Sequence, residues 1–355
     1  MALRRDLVRE VQEGRSRMPK DAVLIVTAKD EVAIPRVEES LLRMGQPFFR
    51  LDTDLLLKNR AQLSLRLHEE RLSGALELSD GSSINLESIK SVWFRRSKPI
   101  SAGHLRSDFE SSQFIEREFS AALFSLYTNL EDVFWMNHPV CSRHVLEHNK
   151  LLQLRLAALS GLATPQTMIT NNPEELLAFC EEHGGFIAVK ALHATIFRDA
   201  DGGAWAIYTN RVSSDYLRER AGNISSAPII AQEYISKMLE LRITVVGNRV
   251  LTCAIHSQDS ERTKDDWRRY DFDNVKHEQY ELPSDIRFRL LDFMRRCGLS
   301  FGAIDMIVTP VGRYVFLEVN PSGQFGWIEE LTGLPISESI AEALATKGKS
   351  GSDSY

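Results

Sequence analysis

The sequence has few features of a secreted, membrane-bound or metal-scaffold protein. In 355 residues it contains only four cysteines and no CxxC pair; they are Cys141, Cys180, Cys253 and Cys297. This usage argues against a disulfide scaffold or a zinc ribbon and is typical of a reducing compartment. No apolar run approaches the roughly 18 to 20 residues of a membrane helix, and the charged first 20 residues lack the apolar centre of a secretory signal. We therefore expect a cytoplasmic protein with no membrane partner.

An excess of positive charge is also missing. Lys and Arg total 43 against 49 for Asp and Glu, a formal net charge of -6. Overall charge therefore gives no support to nucleic-acid binding, and any anion site has to be local. The sequence contains no GxxxxGK[ST] phosphate loop, and the pair Gly184-Gly185 is not a dinucleotide fingerprint. A hydrophobic content of 43% is ordinary for a globular protein, and the length predicts two or three domains.

The order of apolar runs predicts an α/β (α+β) protein. Residues 22–28 are typical of a buried strand, a helix follows to about residue 44, and a short strand ends at residue 52. This is the order of an open α/β sheet. A single helix is expected over 143–159. The expected organisation is a tail at 1–20, an open α/β domain at 21–137, a central unit with a hairpin at 138–232, a C-terminal unit at 233–345 and a disordered tail at 346–355.

Polar side chains interrupt the last predicted hairpin. The run YVFLEVN at 314–320 begins as a buried strand, yet it carries Glu318 and Asn320, which share a face because side chains alternate along a strand. If the chain turns at 310–312, Asp305 lies opposite Glu318. Two carboxylates and an amide are ligands that Mg²⁺ prefers, and facing carboxylates repel each other without a cation. The alternative is a strand that becomes polar because it ends in an ordinary Asn-Pro-Ser-Gly turn.

Several other charged residues fit a phosphate site without requiring one. Lys150 lies on a helix with an apolar face, and Lys190 ends an apolar strand. Each suits phosphate beside a metal, although a solvated lysine is the simpler interpretation. Glu240 and Arg242 share a strand face, which suits a ribose acceptor and a phosphate donor, and an exposed charge pair is again the alternative. The run HVLEH at 144–148 matches a zinc-peptidase pattern, but no partner carboxylate helix is evident.

Several of these residues, taken in their order along the sequence, resemble those of the ATP-grasp carboxylate-amine ligases. The resemblance is carried by Lys150, Lys190, QEYI at 232–235, Glu240, Asp305 and EVN at 318–320. Within that superfamily the chain is most similar to the ligases that mature graspetides, or microviridin-type peptides. The strings behind this similarity are VWFRRSKP at 92–99, EHNKLLQLRLAALSGLATPQTMITNNP at 147–173, DWRRYD at 266–271 and FLEVNPSGQFGWIEELTGLPI at 316–336. The resemblance implies an ATP-grasp fold preceded by an open α/β pre-ATP-grasp domain.

The resemblance also implies a role for each site residue. The nucleotide would be held by Lys150, Lys190, Glu233, the backbone of Ile235 and Glu240; Mg²⁺ by Asp305, Glu318 and Asn320; the γ-phosphate and an acyl phosphate by Arg242 and Arg268. The hairpin at about 194–210 would help to recognise the leader of a precursor peptide. One departure is Asn149, where the family usually has a small residue before the first lysine.

The implied function is ATP-dependent maturation of a ribosomal precursor peptide. Asp or Glu carboxylates of the peptide would be activated as acyl phosphates and joined to Thr or Ser hydroxyls or Lys amines, which closes macrocyclic esters or amides. Two alternatives stay open, namely an ATP-grasp ligase for small amino-acid or glutathione-like substrates and a regulatory nucleotide-binding protein on a decayed fold. The type of linkage, the number of rings and a possible homodimer are also left open.

Overall fold

The computed structural model describes residues 20–103, 108–130, 132–192, 196–198, 204–206 and 208–346; for residues 143, 144, 196–198 and 204–206 it describes the backbone alone. The chain divides into two compact units, Met1–Pro139 with Pro335–Tyr355 and Val140–Leu334. Among the helices so described, none has both the length and the apolar character needed to cross a membrane. The tails expected at 1–20 and 346–355 fall almost wholly outside the described residues.

The first unit is built around a parallel sheet. Its elements up to Pro139 are β1 (Ala22–Thr27), α1 (Ile34–Arg43), β2 (Phe48–Asp52), β3 (Gln62–His68), β4 (Arg71–Glu77), β5 (Ser83–Asn85), β6 (Ile89–Phe94), α2 (Phe109–Thr128) and β7 (Phe134–Met136). The parallel sheet has the order β2-β1-β6-β7, and β3, β4 and β5 form a separate antiparallel sheet. Every residue of β1 is buried, which explains its continuous apolar run.

The second unit contains two larger sheets. It begins with a π-helical turn (Val140–Leu146) and continues through α3 (Lys150–Leu159), β8 (Thr167–Thr170), α4 (Pro173–Glu182), β9 (Phe186–Lys190), β10 (Ile196–Arg198), β11 (Ala204–Ala206), β12 (Asn210–Ser213), α5 (Ser214–Glu219), α6 (Ala221–Ile224), β13 (Ile229–Glu233), β14 (Leu239–Val246), β15 (Arg249–Ile255), β16 (His277–Gln279), α7 (Ser284–Arg296), β17 (Phe301–Val308), β18 (Tyr314–Asn320) and α8 (Gly326–Thr332). The smaller sheet has the order β12-β9-β13-β8 and the larger β16-β15-β14-β17-β18. The mixed α/β class expected from the sequence is confirmed.

The larger sheet has one apolar face, which forms the core of the second unit. Ile304 and Met306 of β17 and Phe316 of β18 are fully buried there. The Phe316 ring lies 4.8 Å from the ring of Phe293 on α7, measured between centroids. Because side chains alternate along each strand, the residues between these apolar positions point to the opposite face. That second face carries the candidate site.

The helix predicted over 143–159 is interrupted in the structure, so this prediction is wrong. The π-helical turn ends at Leu146, and α3 begins only at Lys150. Asn149 accounts for the break, because its side-chain oxygen accepts a hydrogen bond from the backbone N–H of Leu152 at 3.1 Å. This is an N-cap, which starts a new helix. The residue that departs from the family pattern therefore fixes the start of the helix that carries Lys150.

The last helix, α9 (Ile336–Thr346), belongs to the first unit and not to the C-terminal unit expected at 233–345. Ile340 and Leu344 are fully buried. The hydroxyl of Ser91 donates to the carbonyl of Leu344 at 2.9 Å, and Lys90 Nζ donates to the carbonyl of Ala345 at 2.7 Å. These bonds satisfy carbonyls that a helix C-terminus leaves unpaired. Helical periodicity does not reveal which unit covers a helix. The remaining domain limits stay predictions.

The hairpin expected at about 194–210 is described only in part. Strands β10 and β11 pair antiparallel, with Phe197 opposite Trp205. The turn expected at 201–203 lies outside the described residues, as do the side chains of both strands. Recognition of a leader by this hairpin therefore remains a prediction.

Replacing Leu344 by Ala should destabilise the first unit. The side chain is fully buried, so the variant should lose about 2–5 kcal/mol of unfolding free energy. Hydrogen–deuterium exchange should then become faster in α9 and in β6, to which α9 is hydrogen-bonded. The control is Glu338→Gln, at an exposed position of the same helix. Equal exchange in the two variants would contradict the placement of α9 in this unit.

Candidate active site

Three neighbouring strands carry a row of charged side chains. Arg242 of β14 is paired in register with Asp305 of β17, and Asp305 is paired with Glu318 of β18. The predicted pairing of Asp305 with Glu318 is confirmed. Directly opposed residues of adjacent strands share a face. The three side chains therefore lie side by side on the face opposite the apolar core.

A β-bulge sets this register. Nearer the turn, Met306 is opposite Phe316, whereas Asp305 is opposite Glu318, so that Leu317 is the extra residue of β18. The bulge lets consecutive residues, Leu317 and Glu318, face the same cleft. With regular pairing from the turn onward, Asp305 would be opposite Leu317, and Glu318 would point into the core. The bulge therefore brings the second carboxylate into the row.

Glu318 is surrounded by cations. Its Oε2 lies 2.7 Å from Lys150 Nζ, and its Oε1 lies 3.7 Å from Arg268 Nη1. Burial raises the pKa of Glu318, but Lys150, Lys190 and Arg268 outweigh burial and hold that pKa well below its usual range. The pKa of Lys190 is lowered by burial, although Glu318 opposes this change. Glu318 is therefore a carboxylate at every physiological pH.

Arg242 and Asp305 form a second buried ion pair. Arg242 Nη1 donates to both carboxylate oxygens of Asp305, at 3.0 and 3.1 Å, and Nη2 donates to the carbonyl of Gln324 at 3.3 Å. Burial raises the pKa of Asp305, and Arg242 opposes the rise. A side chain at residue 323 does not fit, because its Cβ would overlap the Cβ of Ala303 and lie 2.7 Å from Arg242 Nη2. The glycine after the expected Asn-Pro turn therefore has a packing role beside this pair.

A cleft in the second unit gathers most of the predicted site residues. Its lining includes Lys190, Glu233, Ile235, Glu240, Arg268, Asp305 and Glu318. Apolar walls are supplied by Pro165, Ala188, Ile307 and Leu317. The lining residues come from both of the larger sheets of the unit. Apolar walls with a few converging charged groups are the usual character of a small-molecule site.

Asn320 lies on the same strand face as Glu318 but already makes a local bond. Its Oδ1 accepts a hydrogen bond from the backbone N–H of Ser322 at 2.9 Å. The turn chemistry that was the alternative to a metal site is therefore present. An amide oxygen has two lone pairs, so this bond leaves one for another donor or a cation. The two interpretations of Asn320 are compatible.

Lys237 also lines the cleft, and it was not predicted from the sequence. Its Nζ lies 3.0 Å from Glu240 Oε1 and donates to the carbonyl of Asp265 at 2.8 Å. Burial raises the pKa of Glu240, and Lys237 opposes the rise. Lys237 precedes β14 in an irregular segment, where no periodicity indicates which way a side chain points. Its pairing with Glu240 therefore had no signal in the sequence.

A second missed residue, Asp266, orients Arg268. Its Oδ1 accepts from Arg268 Nε at 2.8 Å, and its Oδ2 accepts from Arg268 Nη2 at 2.6 Å. The backbone N–H of Thr209 also donates to Oδ2 at 2.9 Å. Burial raises the pKa of Asp266, but Arg268 more than offsets it, so the pKa is lowered. This two-point contact leaves Arg268 Nη1 directed towards Glu318.

A third missed residue, Gln153, joins α3 to β18. Gln153 is fully buried; its Oε1 accepts from the backbone N–H of Val319 at 3.0 Å, and its Nε2 donates to the carbonyl of Leu146 at 2.7 Å. Val319 lies between Glu318 and Asn320. A glutamine within an apolar helix face was the available signal. The bond fixes the helix of Lys150 against the strand of Glu318.

The oxygen-only set of Asp305, Glu318 and Asn320 suits a hard cation such as Mg²⁺. No group of three His, Cys, Asp or Glu side chains that could hold a metal occurs in the part of the chain that the structure describes. The side chain of His144, in the HVLEH run, lies outside that part. A zinc site at 144–148 therefore gains no support.

Comparison with protein families divides the chain close to the boundary between Pro139 and Val140, although the ATP-grasp match extends over most of α9, which packs in the first unit. Residues 147–344 match the RimK-like ATP-grasp domain, and residues 22–143 match the MvdD pre-ATP grasp domain. The first of these matches covers more than half of the chain. The chain belongs to the RimK-like ATP-grasp ligases. The ATP-grasp fold with an N-terminal open α/β pre-ATP-grasp domain, expected from the sequence, is confirmed.

Several solved structures are similar over nearly the whole chain. A RiPP-associated ATP-grasp ligase of Chryseobacterium gregarium, in complex with ADP and a leader and core peptide, is 32% identical, with a TM-score of 0.81 and coverage of 92% of this chain and 97% of that chain. The macrocyclase MdnC of Microcystis aeruginosa MRC, bound with precursor peptide MdnA, is 33% identical, with a TM-score of 0.75 and coverage of 91% and 99%. The macrocyclase MdnB of the same organism is 32% identical, with a TM-score of 0.73 and coverage of 92% and 100%. Curated protein sequences gave no match.

The charges of this ATP-grasp site fit a polyphosphate and a divalent cation together. Lys150 and Arg268 contact Glu318, Arg242 contacts Asp305, and Lys190 lies in the field of Glu318. Because Asp266 also pairs with Arg268, four cations face three carboxylates, and this mixture of both signs suits a polyphosphate bound together with a divalent cation. A polyphosphate that attracts the cations would free Asp305 and Glu318 for a metal. The residues present therefore fit Mg²⁺ and nucleotide phosphates.

Replacing Glu318 by Gln should destabilise the protein without ligands. The change removes the partner of Lys150, which then lies beside other cations with little exposure to water. We expect a loss of about 1.5–3 kcal/mol in unfolding free energy, measured by urea denaturation. The control is Glu281→Gln, at an exposed position of the same unit. A Glu318→Gln variant as stable as this control would contradict the electrostatic account of the cluster.

Proposed function

We propose that this ATP-grasp ligase matures a ribosomal precursor peptide. In this proposal it activates Asp or Glu side-chain carboxylates of the peptide as acyl phosphates and joins them to Thr or Ser hydroxyls or to Lys amines of the same peptide. The products are macrocyclic esters or amides, ADP and phosphate. The observation that carries the nucleotide chemistry is the ionised Glu318 beside Asp305, enclosed by Lys150, Lys190 and Arg268.

The choice of a peptide substrate is supported by the similar structures. Two ligases that share about a third of their residues with this chain, over more than nine-tenths of its length, were solved with a leader and core peptide or with a precursor peptide. The alternative of a small amino-acid or glutathione-like substrate has no such support. The proposal includes recognition of the leader by the hairpin at about 194–210.

Nucleotide binding would follow from an exchange of ion-pair partners. Lys150 and Lys190 would contact phosphates, Glu240 would accept from the ribose hydroxyls, and Glu233 with the backbone of Ile235 would hold the base. Asp305, Glu318 and Asn320 would then hold Mg²⁺, which supplies charge neutralisation on the phosphates when it is bound. Four free cysteines and the need for ATP fit a cytoplasmic location.

The first chemical step transfers the γ-phosphoryl group. An oxygen of the substrate carboxylate attacks the γ-phosphorus, the bond from that phosphorus to the bridging oxygen breaks, and ADP leaves. The protein needs no nucleophile of its own, because positioning and charge stabilisation supply most of the catalysis in phosphoryl transfer. Arg268, which Asp266 holds towards Glu318, is placed to neutralise charge on the transferred group.

The second step forms the new bond. The hydroxyl or amine attacks the carbonyl carbon of the acyl phosphate, the carbon–oxygen bond to phosphate breaks, and inorganic phosphate leaves. The proton lost by the nucleophile can pass to the departing phosphate or to water. Arg242 and Arg268 would stabilise negative charge as the tetrahedral intermediate forms and collapses.

Incubation of the purified protein with ATP, Mg²⁺ and the precursor peptide encoded beside its gene should lower the peptide mass. Each bond should remove one water, about 18 Da, because phosphorylation and displacement amount to a condensation. Mass spectrometry measures the loss, and Glu318→Ala should abolish it. The matched control is Glu281→Ala, which changes an exposed glutamate of the same unit and should retain activity.

An unchanged peptide mass, together with ADP release that depends on free amino acids, would contradict the proposal and favour the small-substrate alternative. Absence of nucleotide turnover with every substrate would instead favour a regulatory protein on an ATP-grasp fold.

A further inference from the structure

Tyr270, in the DWRRYD string, has no role in the nucleotide site described above. It follows a short 3-10 turn, Trp267–Arg269, and its φ is +43°, in the left-handed region that residues other than glycine rarely adopt. Its backbone N–H donates to the carbonyl of Trp267 at 3.1 Å, which closes the turn. Strain of this kind is found where a side chain is held for a function. The position of the Tyr270 ring therefore needs an explanation.

The ring belongs to an aromatic shelf, defined here as Trp267, Tyr270, Phe272 and Trp327. Tyr270 stacks on Phe272, with centroids 5.2 Å apart and planes at 28°, and meets Trp267 edge-on at 5.7 Å. Trp267 in turn lies 5.2 Å from Trp327. Tyr270 and Phe272 remain 42% and 48% exposed. The shelf therefore presents an aromatic surface to solvent.

This surface continues directly from the charged row. The guanidinium carbon of Arg242 lies 5.6 Å from the centroid of the Trp267 ring. Arg268 is the next residue after Trp267 and contacts Glu318. A molecule lying on the shelf would therefore reach the arginines proposed to act on the acyl phosphate.

The Tyr270 ring lies near the same charges, because it meets Trp267 edge-on and Arg242 lies over Trp267. Burial raises the pKa of the Tyr270 hydroxyl, while Arg242 and Arg268 act in the opposite direction. The hydroxyl thus lies within the field of both guanidinium groups and remains protonated at neutral pH. Within the described residues it makes no hydrogen bond, and Tyr270 is 42% exposed, so this donor is available to a ligand. It is a neutral donor near the two arginines proposed to act on the acyl phosphate.

We propose that the aromatic shelf binds the peptide segment that carries the reacting carboxylate, and that the Tyr270 hydroxyl donates a hydrogen bond to that carboxylate. This inference rests on the proposed function. It identifies where the phosphoryl acceptor, the carboxylate of the peptide, would bind. The rings supply flat apolar area for the backbone and side chains that flank the carboxylate. A phenol orients a carboxylate without neutralising it, so the carboxylate remains able to attack phosphorus.

A nucleotide role for the shelf is less consistent with the structure. Of the four rings, only Trp267 lines the cleft that contains Lys190, Glu233 and Glu240, as far as the described residues show. The adenine and ribose contacts proposed above come from other elements. Tyr270 and Phe272 therefore extend the site in a direction that the nucleotide does not need.

Steady-state kinetics with the precursor peptide encoded beside the gene, ATP and Mg²⁺ tests the inference. Tyr270→Phe keeps the ring and removes the hydroxyl, so it should raise the KM for the peptide about tenfold, the effect of one hydrogen bond to a charged group. Phe272→Ala should also raise that KM, because it removes stacking area. The Kd for ATP with Mg²⁺, measured separately by calorimetry, should stay unchanged in both variants.

Matched controls are Tyr216→Phe and Phe288→Ala, which alter rings that are 48% and 74% exposed elsewhere in the same unit. Wild-type condensation with an unchanged peptide KM in Tyr270→Phe would overturn the shelf inference and leave the proposed function standing. An equal loss of ATP affinity in Tyr270→Phe would overturn it as well, because the residue would then serve the nucleotide. Failure of the wild-type protein to condense the peptide would overturn both.

Discussion

The buried ion pair between Lys150 and Glu318 is the contact on which the rest of the candidate site depends. The two residues are far apart in sequence, and their atoms meet at 2.7 Å only because several local features cooperate. Asn149 starts the helix of Lys150, and Gln153 binds that helix to the backbone of β18. The bulge at Leu317 turns Glu318 away from the core. Each of these features only positions the backbone. Together they bring a cation and a carboxylate to one end of the charged row.

The same row explains why a metal and a polyphosphate belong together here. Without ligands, each carboxylate has a cationic partner, Arg242 for Asp305 and Lys150 for Glu318. A metal alone would have to displace these cations, and phosphate alone would leave carboxylates facing each other. Binding both at once gives every charge a new partner, because the cations move to phosphate and the carboxylates to metal. The site is therefore suited to a metal–nucleotide complex more than to either component.

Many features of the candidate site were predictable from the sequence. The features that were not predicted depend on local geometry that periodicity does not report. Alternation along strands placed Glu318 and Asn320 on one face. Counting from the expected turn also placed Asp305 opposite Glu318, but in the structure this pairing depends on the bulge, since regular pairing would put Leu317 there. The bulge was not predictable, because one extra residue in a strand leaves no mark on apolar periodicity. The break before α3 was missed because Leu146, Lys150, Leu154 and Ala158 recur every four residues, the spacing of one continuous helix across Asn149. Lys237, Asp266 and Tyr270 lie in irregular segments, where side-chain direction depends on turns that no periodicity reports.

In this account, the ion pairs of the site exchange partners when nucleotide and metal bind. The most direct test of this exchange is a crystal structure of the protein with ADP and Mg²⁺. The account predicts that Lys150 Nζ leaves Glu318 and contacts a phosphate oxygen, while oxygens of Asp305 and Glu318 lie about 2.1 Å from the metal. A bound nucleotide with the Lys150–Glu318 and Arg242–Asp305 pairs both intact, and with the metal held by other residues, would contradict it.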